Sequence, residues 1–151
     1  MRERDRSPSI EQSLKSFIVL SRAFRHVSDR VREDIQKHGL NPTEFAVLEL
    51  LYHKGEQPIQ KIGDKILLTS GSMTYVINRL AEKALIERVP CEKDRRITFA
   101  RISAGGSELM QHIFPSHEQA IDDLFSVWTD EEKEQFIMLT KRLGIGAQHH
   151  R

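Results

Sequence analysis

The densest cluster of reactive side chains lies in the stretch CEKDRRITFARIS, residues 91–103. Lys93, Arg95 and Arg96 surround a single acid, Asp94, at the join between two segments that alternate like strands. Guanidinium groups at the tip of a two-stranded ribbon suit phosphate oxygens or the narrow, negative minor groove of A·T-rich DNA. A carboxylate there repels phosphate. Asp94 therefore makes sense only if it accepts a forked hydrogen bond from Arg96 and aims that guanidinium, which leaves Arg95 for a phosphate. A solvated charged turn is the plain alternative, and the neighbouring sequence has to decide.

A second group of side chains precedes it, in LLTSGSMTYVINRLAEKAL, residues 67–85. A helix over 69–84, capped by Thr69 or Ser70, puts Met73, Val76, Ile77, Leu80 and Ala84 on one face. The opposite surface carries Thr74, Tyr75 and Asn78, flanked by Ser72 and Arg79. Ser70 and Ser72 are slim enough to let a helix N-terminus approach phosphates, where free N–H groups and the helix dipole attract anions. Tyr75, Asn78 and Arg79 have the reach to touch bases or backbone. Polar residues opposite an apolar stripe are common on any surface helix. What weighs against that bland reading is a further helix three or four residues upstream, the spacing of a helix-turn-helix.

The elements that must position these groups are marked by capping signals. Ser7 or Ser9 with Pro8 opens a long helix whose apolar residues are Ile10, Leu14, Phe17, Phe24, Val27, Val31 and Ile35, and Gly39 ends it in a left-handed turn. Asn41, Pro42 and Glu44 form a capping box for a second helix with Phe45, Leu48, Leu51 and Tyr52 inward, closed by Gly55. Pro58 begins a short third helix carrying Ile59, Ile62 and Ile66. IERVPCE and RITFARI read as strands joined by KDRR. Ser103 caps a helix with Leu109, Ile113, Ile121, Leu124 and Phe125, in which Pro115 predicts a kink. Thr129 and Glu132 box the last helix, lined by Phe136, Leu139 and Leu143, and His149 and His150 fall on a disordered tail.

The predicted fold class is mainly α with a small β-hairpin wing: a winged helix-turn-helix with N- and C-terminal dimerisation helices. We expect one domain over 1–151, with a DNA-binding lobe at 41–102 and dimerisation helices at 8–38 and 103–145. The flanking amphipathic helices lack a partner within the lobe, which suggests mutual packing in a two-fold dimer.

Bulk composition permits this without deciding it. The 151 residues carry 30% charged and 38% apolar side chains and a net charge of +1, as in soluble globular proteins. Basic and acidic side chains number 9 and 6 over residues 1–37, 10 and 8 over 38–102, and 3 and 8 over 103–143, so the basic character is local. No run approaches a membrane span, and MRERDRSPSIEQ lacks the apolar core of a signal peptide. One cysteine, Cys91, excludes an internal disulfide and fits a reducing cytoplasm.

LLTSGSMTYVINRL followed by IERVPCEKDRRITFARIS resembles the MarR (multiple-antibiotic-resistance regulator) family of winged-helix repressors, and the similarity covers nearly the whole chain. The specific part is the wing pattern: an acid, any residue and an arginine ahead of a strand and a helix-capping Ser or Thr. The resemblance assigns the wing pair to Asp94 and Arg96 and the recognition helix to TSGSMT onward. Two departures stand out. Ala84 occupies a position where the family usually has glycine, and SAGG has two glycines after the cap where one is usual.

The resemblance also implies double-stranded DNA as partner, a homodimer, and release from a pseudo-palindromic operator by a small, often phenolic, effector. Phe17, Phe24, His26, Tyr52 and His53 are candidates to line its crevice, with core phenylalanines and surface histidines as the plainer account. Some members sense oxidants through a cysteine near the first helix, so a thiol-based redox-sensing regulator acting through Cys91 is one alternative, although Cys91 lies in the wing and is more simply structural. His112 and His117 are five apart and do not share a helix face, so no metal and no cofactor are expected. No phosphate loop, nucleophile elbow or carboxylate pair suggests an enzyme. A winged helix kept as a protein-interaction module is the remaining alternative, and it would bind with weak salt dependence.

Overall fold

The structure is a computed structural model that describes residues 7–66 and 73–150. Its elements are helices α1 (Pro8–Gln36), α2 (Pro42–Lys54), α3 (Ile59–Lys65), α4 (Met73–Glu82), α5 (Ala104–Phe125) and α6 (Asp130–His149) and strands β1 (Gln57–Pro58), β2 (Ile86–Pro90) and β3 (Thr98–Ile102). They fall into two compact units, one ending at Pro115 and the other beginning at Ser116.

Local chemistry sets most boundaries. Ser7 caps α1 by accepting from the Ile10 N–H at 3.4 Å, with Pro8 in the first turn. Asn41 accepts from the Glu44 N–H at 2.8 Å while Glu44 accepts from the Asn41 N–H at 3.4 Å, the reciprocal box that starts α2. Thr129 and Glu132 repeat it at α6, with both bonds at 3.2 Å. Gly39 and Gly55 take φ of +75° and +80° where α1 and α2 stop.

The core of the first unit joins Ile35 and Leu40 to Phe45, Val47, Leu48 and Leu51 of α2, Ile62 of α3, Val76, Ile77 and Leu80 of α4, Ile86 and Ala100 of the sheet, and Met110 and Ile113 of α5. Only the C-terminal end of α1 enters it: Ile35 is buried and Val31 packs against the cluster, whereas Ile10, Leu14, Phe17 and Phe24 are exposed. In the second unit Phe125, Trp128 and Phe136 make a ring cluster with centroids 4.8–6.3 Å apart. Ile137, Leu139 and Leu143 of α6 face solvent.

Three details depart from the sequence expectation. The hairpin gains a third strand, with order β1-β3-β2, all antiparallel, and Gln57 opposite Ala100. Both outer strands end on a proline, Pro58 and Pro90. Ala84 does not share the buried face of α4. It lies just past the helix, exposed, at φ +59°. The Ala84 N–H bonds to the Ala81 carbonyl and the Leu85 N–H to the Leu80 carbonyl, both at 3.0 Å, which is a Schellman closure with alanine in the usual glycine position. Finally, α6 runs on to His149. Gly144 and Gly146 each disfavour helix by about 1 kcal/mol, yet no proline intervenes to stop it.

Candidate nucleic-acid interface

Helix α4 separates cleanly into two faces. Val76, Ile77 and Leu80 are buried and Met73 is half-buried, while Thr74, Tyr75, Asn78 and Arg79 are exposed. At 100° per residue those four occupy an arc of about 140°, clear of the apolar arc. Ser70 and Ser72, expected at the start of this helix, lie outside the described residues.

The end of α4 is locked in place by its neighbours. Ser103 donates through Oγ to the Ala84 carbonyl at 2.7 Å, and the same oxygen accepts from the Gly106 N–H at 3.0 Å. The Ser103 N–H also bonds to the Leu85 carbonyl at 3.0 Å. One residue thus caps α5 and closes the turn after α4. A Cβ at Gly106 would stand 2.1 Å from the Leu85 carbonyl oxygen, whereas one at Gly105 would meet nothing nearer than 3.4 Å. Of the two glycines in SAGG, the second is the one the packing requires.

A second tie joins α4 to α2. Lys83 Nζ lies 2.6 Å from Glu44 Oε2 and 3.3 Å from the Gly39 carbonyl. Glu44 is buried, so its remaining oxygen serves the capping box while this one is neutralised by Lys83. These residues are 39 apart in sequence, and no local signal pairs them.

In the wing, Asp94 accepts from Arg96 three times: from the backbone N–H at 3.1 Å, from Nε at 3.1 Å and from an NH2 nitrogen at 3.3 Å. The forked bond expected from the sequence is present, and the backbone bond adds an Asx turn. The Ile97 N–H to Asp94 carbonyl bond and the Cys91 N–H to Ile97 carbonyl bond, both 3.0 Å, close the loop. The Arg96 guanidinium beside Asp94, followed by the Arg96 N–H, holds the carboxyl below its ordinary value of 3.8. Arg96 nevertheless keeps 90% of its side chain in solvent, so it is aimed without being covered. Arg95 and Lys93 are also exposed. Glu87 and Arg101, directly opposite across β2 and β3, pair at 2.9 Å and stiffen the ribbon. Cys91, one residue beyond β2, is half-buried.

Sequence reasoning missed one contact at the centre of this surface. The Asn78 carboxamide oxygen accepts a hydrogen bond from Arg88 on β2, so α4 and the wing are joined by side chains. An amide and a cation ten residues apart, on a helix and on the strand after it, carry no periodic signal.

The candidate effector residues divide. Tyr52 and His53 at the end of α2 make ring contacts with each other at 5.0 Å and with Phe114 of α5 at 6.4 and 4.6 Å. Phe17, Phe24 and His26 are exposed on α1. Among the described residues no group of His, Cys, Asp and Glu converges as a metal site, and no helix is long and apolar enough to cross a membrane.

Comparison with known proteins gives this geometry its context. The sequence model of the MarR family matches residues 40–98, from just before α2 to the first residue of β3. The HTH-type transcriptional regulator MhqR of Bacillus subtilis is 56% identical over 138 residues, covering 91% of this chain and 95% of that protein. Sco3205 of Streptomyces coelicolor, a MarR family regulator solved in complex with DNA, superposes with a TM-score of 0.80 at 18% identity, over 95% of this chain and 91% of that one. Bordetella bronchiseptica BpsR, whose DNA binding is regulated by 6-hydroxynicotinic acid, superposes at 0.74 with 21% identity, over 83% and 90% of the two chains. These relatives are DNA-binding regulators rather than enzymes. Matched by the family's sequence model and 56% identical to a regulator over nearly the whole of both chains, with a fold like those of solved MarR regulators, the chain belongs to the MarR family of winged helix-turn-helix transcriptional regulators.

Proposed function

We propose that this regulator is a homodimeric repressor that holds a pseudo-palindromic operator through α4 and the wing and leaves it when a small aromatic effector binds. The observation that carries the DNA side is the aimed but uncovered Arg96, standing on the same lobe as the polar face of α4. In this reading residues 41–102 form the DNA-binding lobe, and 8–38 and 103–145 the dimerisation helices of one domain over 1–151. Ser70, Ser72, Thr74, Tyr75, Asn78 and Arg79 meet the major groove, Arg96 enters the minor groove, Asp94 orients it and Arg95 contacts phosphate. The exposed apolar side chains of α1, such as Phe17, and of α6, such as Leu143, favour a second copy as their cover. The Tyr52, His53 and Phe114 rings offer aromatic surface to an effector, and the effector-regulated relative BpsR supports that part.

The test is binding of the purified protein to duplexes from the region upstream of its own gene, read by fluorescence anisotropy between 50 and 200 mM salt. Affinity should fall by orders of magnitude over that range if many phosphates are engaged. Arg96→Ala should weaken binding by about five- to a hundredfold with the same sedimentation mass and melting curve. Parental affinity in that variant would remove the wing from the interface.

A further inference from the structure

Arg88 is exposed on β2, outside the wing tip, and its guanidinium donates to the carboxamide oxygen of Asn78 on the exposed face of α4. A guanidinium has five N–H donors and no acceptor, so the atom that faces it must be the oxygen. The amide is thereby fixed in polarity: oxygen toward the strand, NH2 away from it. An asparagine without such a partner can turn its carboxamide over and exchange donor for acceptor along the same edge. Base pairs are told apart in the major groove by the order of donors and acceptors they present. An amide free to turn over therefore accepts more than one order, and a locked one does not.

We infer that Arg88 is a positioning residue for sequence readout, fixing the polarity of the Asn78 amide so that it discriminates between bases at one operator position. This rests on the reading of α4 as the helix that meets bases. Arg88 does not need to touch a base itself. Its requirement is chemical: a side chain that only donates will lock the amide, whereas one that both donates and accepts will not.

The experiment is selection from a randomised duplex library by the full-length parent, Asn78→Ala, Arg88→Lys and Arg88→Gln, followed by affinity measurements on the selected duplex and its single-base variants. Asn78→Ala should flatten the preference at one position in each half-site and so identify it. Arg88→Gln, whose amide can donate or accept, should lower discrimination at that same position by at least about fivefold and leave the other positions unchanged. Arg88→Lys, a donor only, should retain the parental preference. Both sites are exposed, so all variants should melt as the parent does. The inference is overturned if Arg88→Gln keeps the parental preference, if it weakens every duplex equally, if Arg88→Lys relaxes the position as Arg88→Gln does, or if Asn78→Ala changes no position. A parent that enriches no sequence at all would overturn the DNA-reading role of α4 instead, a different result from any of these.

Discussion

Gly106→Ala places one methyl group where α5 begins against the turn after α4. That methyl would lie 2.1 Å from the Leu85 carbonyl oxygen and 2.7 Å from Cγ1 of Ile102. The shortfall from an ordinary contact exceeds about 1 Å. Because the nearer atom is backbone, no rotamer change can relieve it. The start of α5 has to withdraw, which strains the Ser103 cap and its bond to the Leu85 carbonyl, both 3.0 Å. Losing a cap costs about 0.5–2 kcal/mol, a neutral hydrogen bond about 1, and overpacking about 1–3. Alanine's better helix propensity returns up to about 1. The net is a loss of about 1.5–5 kcal/mol, or a fall in Tm of roughly 3–20 °C for a chain of this size. Gly105→Ala is the internal control, with its nearest contact at 3.4 Å, and should melt at or slightly above the parent temperature. Thermal unfolding followed at 222 nm, at one fixed protein concentration, decides between them. Equal melting of Gly106→Ala and Gly105→Ala would refute the steric account.

Three further outcomes follow from the same region and the wing. Ala84→Gly should raise stability by roughly 0.5–1 kcal/mol, since alanine at φ +59° costs about 1–2 kcal/mol and the added freedom of the unfolded chain offsets part of the gain; a lower Tm would contradict this. Lys83→Met leaves the buried Glu44 carboxylate without its cation and should cost about 1–3 kcal/mol in chemical denaturation, so a change within about 0.5 would argue against the pair. Asp94 has its folded pKa depressed, so its contribution is complete above 3.8 and is lost only as pH falls through the lower folded value. A carboxyl ¹³C titration should therefore show Asp94 titrating below 3.8 in the parent and moving upward in Arg96→Ala, and coincident curves would exclude the fork in solution.

What could be read from the sequence was mostly what is decided within four residues. The boxes at Asn41 and Thr129, the serine caps at Ser7 and Ser103, and the helix-ending glycines Gly39 and Gly55 involve neighbours in the chain. The Asp94–Arg96 fork spans two residues and was equally legible. The contacts that were not legible are those brought together by folding: Lys83 with Glu44, Arg88 with Asn78, and Gln57 opposite Ala100. A two-residue strand has no alternation to detect, so β1 could be recognised only from its partner. A 100° periodicity puts Ala84 on the buried face only if the helix continues, and the Schellman turn ends it at Glu82.

The prolines at the ends of β1 and β2 bear on a different property, the protein's behaviour at high concentration. A sheet whose outer strands present unpaired N–H groups invites a strand from another molecule to add to it. Here one margin is only two residues long and half of it is proline, and the other margin stops at proline beside the charged turn. The first margin carries a single backbone donor and the second loses its donor at the wing end. Such short, proline-ended margins are poor templates for a further strand, so crowding on DNA or overexpression should not readily drive these molecules into β-linked aggregates.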